Sequence, residues 1–150
     1  MISAAKTHVV SRRKTLSQYL SGPQLHGRDR NSAAEKADFH AQARLFCFEL
    51  ARELGVRREA YEVRVNLADE ISAGECTLHT GQFFLQITHA GDRGADFDEN
   101  RSVRARRCAS VTTFGSDANT SHWMPIAMLE NVEQARSWIV DFLYRTRGEA

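Results

Sequence analysis

The residues best able to do chemistry in this chain are three cysteines, six histidines and the scattered carboxylates. Their spacing argues against any joint site. Cys76 and His79 stand three apart in a segment that alternates as a strand, so they point to opposite faces and cannot chelate one ion. His40 and Cys47 share a helix face, but a zinc site needs three or four ligands. Asp92, Asp96 and Asp98 lack the spacing and the closing glutamate of a calcium loop. No G-x-S-x-G elbow marks a nucleophile. The stretch G-D-R-G-A-D-F, 91–97, has two glycines and does not lie between a strand and a helix, as a phosphate loop must. The sequence therefore predicts no metal, no cofactor and no assignable catalytic residue. An enzyme, hydrolase or nuclease, stays as an alternative with a site that no motif marks.

The arginines carry a different chemistry, the pairing of guanidinium with phosphate. Residues 1–32 hold Lys6, Arg12, Arg13, Lys14, Arg28 and Arg30 against Asp29 alone, a charge of +5, and the remaining residues sum to −4. A basic arm on a mildly acidic body fits an anionic partner. Farther along, Arg104 and Arg106 share the outer face of an expected strand, with Arg101 nearby. Phe84, expected to face outward, could stack a base beside them. The candidate contact set is thus Arg12, Arg13, Lys14, Arg28, Arg30, Arg101, Arg104, Arg106 and Phe84. The plain alternative is a solvated arginine face and a solubilising tail. The recognised RNA- and DNA-binding signatures are missing.

The elements that must position these residues follow from periodicity. Ser32 is placed to cap a helix, with Glu35 at the capping-box position. The helix is expected from Ala33 to Leu54, with Gly55 ending it. Phe39, Ala43, Phe46, Cys47, Leu50 and Leu54 form its core stripe. Ala41, Leu45 and Phe48 form a second apolar stripe, so the helix is expected to be deeply buried between two neighbours, or else Leu45 and Phe48 meet a second copy, another partner chain or the folded-back leader. Tyr61, Val63, Val65 and Leu67 alternate with polar residues in a half-buried strand. E-C-T-L-H-T and F-F-L-Q-I-T form a hairpin turning at Gly81, with Thr77, His79, Phe84 and Gln86 facing out. A fourth strand is expected over 102–113. Arg107 falls there on the buried parity, which predicts a bulge or an edge position that lets it escape to solvent. A last helix is expected over 130–145, with Val132, Ala135, Ile139, Phe142 and Leu143 inward. The expectation is α+β: an antiparallel sheet of three or four strands, order α-β-β-β-β-α, with two helices on one face. Residues 1–32 form a flexible basic arm and 33–150 a single domain.

The totals agree with one domain of ordinary composition, 42% hydrophobic and 26% charged in 150 residues. An odd number of distant cysteines, with no C-x-x-C, reads as reduced, mostly buried thiols in a cytosolic protein. The Asn119 sequon then has no role. No run is long and apolar enough to span a membrane. The arginine- and serine-rich start permits a transit peptide but lacks its amphipathic helix.

Y-E-V-R-V-N, 61–66, followed by G-Q-F-F-L-Q-I, 81–87, resembles short accessory proteins of phages and plasmids. With the basic leader and long helix before it, the order is similar to that of type II anti-CRISPR proteins, which inhibit an RNA-guided nuclease. The chain departs from that pattern in the loop after Leu67 and throughout its last third. The resemblance implies a class: a small non-enzymatic protein of a mobile element that blocks a nucleoprotein defence complex. Arg12, Arg13 and Lys14 would then lie along guide RNA or DNA in that complex. A stand-alone nucleic-acid-binding module and a structural phage protein are the other readings.

Overall fold

The computed structural model describes residues 14–22, 30–66, 74–88, 102–108 and 121–149. They form three helices and a five-stranded sheet. Helix α1 is Leu16–Leu20 and α2 is Arg30–Glu53. Strands β1 Tyr61–Val65, β2 Glu75–Thr80, β3 Phe83–Thr88, β4 Val103–Arg107 and β5 His122–Trp123 precede α3, Val132–Arg145. The strands run in sheet order β1-β2-β3-β4-β5 with every pair antiparallel, a meander. The mixed α+β class matches expectation, with one strand and one helix more than expected.

The core lies between the sheet and the helices. The expected stripe of α2 is buried from Phe39 through Leu50, with Leu54 packed at its margin. It meets Cys76, Leu78, Leu85 and Ile87 from the hairpin, whose register is the one alternation predicts: Cys76 opposite Ile87, Leu78 opposite Leu85. Cys47 and Cys76 touch across this seam, sulfur to sulfur 3.9 Å. All three cysteines are free and buried. The contact with Cys76, and then burial, push the Cys47 thiol well above its ordinary pKa. Gly55 closes α2 as expected. Its φ of 72° lets the Gly55 and Val56 amides donate back to the carbonyls of Arg52 and Ala51, a Schellman end.

Four expectations are corrected. First, α2 begins at Arg30, so Ser32 lies inside the helix and does not cap it. Second, residues 14–22 are not a loose arm. Thr15 and Gln18 form a capping box for α1, and Leu16, Tyr19 and Leu20 are buried in the main core. The Tyr19 hydroxyl donates to Asp38 at 2.6 Å, and the Glu130 carboxylate accepts from the Ser17 amide and hydroxyl at 3.0 and 2.8 Å. Third, β4 is no edge, because β5 pairs with its outer side. Fourth, the β3–β4 register is continuous over 103–107, with no bulge. Arg107 keeps its inward parity, and its guanidinium donates to the Leu143 carbonyl and to Thr146 Oγ1 at the end of α3. It fills acceptors that a helix end leaves open. Residues 109–113 of the expected strand lie outside the described residues.

Candidate functional site

The sheet face turned away from the helices holds the expected arginines. Cross-strand pairing sets them in rows. Glu62, His79, Phe84 and Arg106 follow one line, and Arg64, Thr77, Gln86, Arg104 and Trp123 the next. Directly opposed side chains on one face sit close enough to interact. The Arg104 guanidinium lies 5.8 Å from the Phe84 ring centre and donates to Gln86 Oε1 at 2.7 Å. The Gln86 amide donates in turn to the Glu75 carboxylate. Thus one side of Arg104 is relayed to a carboxylate two strands away. Arg64 pairs with Glu62. Burial and the neighbouring Arg106 charge together depress the Arg104 pKa, with Glu75 opposing them. Arg104 and Arg106 thus lie near enough on one face of β4 for their charges to interact.

Phe84 does not serve as expected. It is 1% exposed, with its ring 5.4 Å from that of His79. Thr77 and His79 are also buried, although they do point away from the helices. Among the described residues, the aromatic that reaches solvent on this face is Trp123, 38% exposed and directly opposite Arg104. The sequence reading missed it because a two-residue strand carries no periodicity.

Two other expected contacts that are described, Lys14 and Arg30, lie on the helices' side of the molecule. Lys14 lies in the helical layer, 2.9 Å from Glu35 and 5.6 Å from the Tyr19 ring centre. Arg30 opens α2. Arg12, Arg13, Arg28 and Arg101 lie outside the described residues. Phe48 is half-buried by its own chain, packed edge-on to Tyr61 at 6.1 Å under the Arg58 guanidinium. Of the second stripe, Leu45 is 60% exposed. It borders a groove of about 330 Å³ with Leu16, Phe46 and Leu129.

Among the candidate ligands, strand alternation separates Cys76 from His79 as expected: Cys76 meets Cys47, and His79 meets Phe84. His40 is buried, and its Nε2 lies 2.8 Å from Asn66 Oδ1, which also accepts the Glu75 amide at 2.9 Å. Burial lowers the His40 pKa, with Lys36 assisting and the Asn66 bond opposing. This cluster pins α2 to the start of β2. Among the described residues no three metal-ligating side chains converge. No helix among them is long and apolar enough to cross a membrane. No family model matches the chain, and comparison with curated proteins and solved structures returned no significant match.

Proposed function

We propose that this is a non-enzymatic binding protein of a phage or other mobile element, one that blocks a host nucleoprotein defence complex in the anti-CRISPR manner. The observation that carries the reading is the pair Arg104 and Arg106 on one face of β4, with exposed Trp123 beside Arg104. Adjacent guanidiniums suit bidentate contacts with phosphate, and an indole beside them offers a stacking surface. The basic residues Arg12, Arg13, Arg28 and Arg101 would add to the contact. The test is inhibition of target-DNA cleavage by a guide-loaded type II effector. Cleavage should fall as the protein is added, and Arg104→Glu with Arg106→Glu should raise the concentration needed at least tenfold. Full cleavage at saturating protein would end this reading.

The exposure of Trp123 favours one alternative, a stand-alone binder of single-stranded nucleic acid. That reading predicts tight binding to naked strands with no protein partner. It also predicts quenching of Trp123 fluorescence on binding.

A further inference from the structure

The end of the molecule near the hairpin turn carries a second feature, unconnected with the arginine face. A cavity of about 680 Å³ opens between the end of α2, the Gly81 turn and α3. That volume falls within the range of small-molecule sites. Its walls are Leu54, Val56, Ala60, Val140 and Leu143, over a floor of Phe83, which is 1% exposed. Val140 stands 49% exposed at the opening, although a helix normally turns such a residue inward. The lining is apolar except for Thr80, Gln82 and Arg57. Thr80 Oγ1 is already engaged within its own turn, accepting from the Gln82 and Phe83 amides and donating to the Phe83 carbonyl. That leaves Arg57 and Gln82 as the groups that can orient a ligand.

We propose that this cavity binds a small anionic amphiphile, with its hydrocarbon body between α2 and α3 and its carboxylate on Arg57. Charge selects this class. The cation among the lining residues is Arg57, whose side chain is 83% exposed. Its present partner, Glu59, is 65% exposed at 2.6 Å. An ion pair that open to water is weak and readily exchanged. A carboxylate tethered to a buried hydrocarbon gains effective concentration over water-borne anions and competes with Glu59 for the guanidinium. Gly81 completes the picture. A Cβ built there would meet nothing within 4 Å, so the turn, which lines the cavity, has room for a larger side chain.

The test is titration calorimetry of the full chain with three probes of equal chain length, each below its micelle concentration: dodecanoate, dodecyl maltoside and dodecyltrimethylammonium. Dodecanoate should bind at one to one, at least tenfold tighter than the cationic probe, with the uncharged probe between. Arg57→Glu should reverse the order of the charged probes. Gly81→Phe should abolish binding of all three by occupying the cavity. Val140→Asp, at an exposed position that tolerates it, should weaken dodecanoate at least tenfold and so gives the same comparison if the Gly81 variant misfolds. No saturable binding, equal affinity for the three head groups, or an unchanged affinity in Gly81→Phe would each overturn the proposal.

Discussion

Arg107 shows how one side chain can meet two demands. Its parity along β4 is that of Val103 and Ala105, so it turns toward the helical layer, where it is half-buried. The cost of burying a guanidinium is offset because α3 ends above it and offers the Leu143 carbonyl and the Thr146 hydroxyl. Arg107→Met keeps the packing and removes the donors. It should lower unfolding free energy by about 2 kcal/mol, the typical worth of hydrogen bonds to a charged group, as read from urea denaturation. Gly74 is constrained from the other direction. A Cβ there would sit 2.9 Å from the Phe39 ring, which is buried. Gly74→Ala should cost about 1–3 kcal/mol through overpacking, and Phe39→Leu in the same chain should recover part of it. His40 sets a pH dependence. Its pKa is lower folded than unfolded, so folding favours the neutral ring. Its stabilisation is complete above the unfolded value of about 6.5 and is lost as pH falls toward the folded value. Thermal melts at pH 7.5 and 5 should show a larger drop for the native chain than for His40→Gln. Parity, and the question of where Arg107 goes, were legible in the sequence. The answer was not, because it depends on which helix end lies above the strand.

The elements divide in the same way. The stripe of α2, the alternation of β1 and the hairpin register were readable because each is a local period matched to one buried face. Helix α1 was readable too, in T-L-S-Q-Y-L, where Thr15 and Gln18 form a capping box and Leu16, Tyr19 and Leu20 follow helical spacing. The surrounding positive charge suggested a tail instead. Strand β5 leaves no such trace, since two residues cannot show a period and its pairing with β4 is long-range. The burial of Phe84 and His79 was also illegible, because alternation says which face a residue occupies and not whether that face is covered. Leu20 is fully buried in the core that α2 and the sheet share. Leu20→Ala should therefore cost about 2–5 kcal/mol, measured as a shift of the urea midpoint. Removing residues 1–22 should lower the melting temperature well below that of a chain lacking only 1–13. Equal melts for the two truncations would contradict the packing of α1.

At the scale of the whole molecule, the arginine pair of β4 and the apolar cavity beside the Gly81 turn lie on different surfaces. The helical layer uses Lys14 to tie α1 to α2 through Glu35. The opposite sheet face holds Arg104, Arg106 and Trp123. The arginine pair itself, Arg104 and Arg106 on one face of a strand, could be read from the sequence. Its stacking partner could not, because Trp123 and Arg104 become neighbours only when the last strand pairs. The most direct test of this face is the salt dependence of binding to the guide-loaded effector, read by fluorescence anisotropy at about 50 and 200 mM salt. Native protein should be compared with the Arg104→Gln, Arg106→Gln double variant. The account predicts steeply salt-dependent binding in the native protein, and a slope of log affinity against log salt reduced by about 2 in the variant, one for each lost phosphate contact. An identical affinity and slope in the two proteins would contradict it.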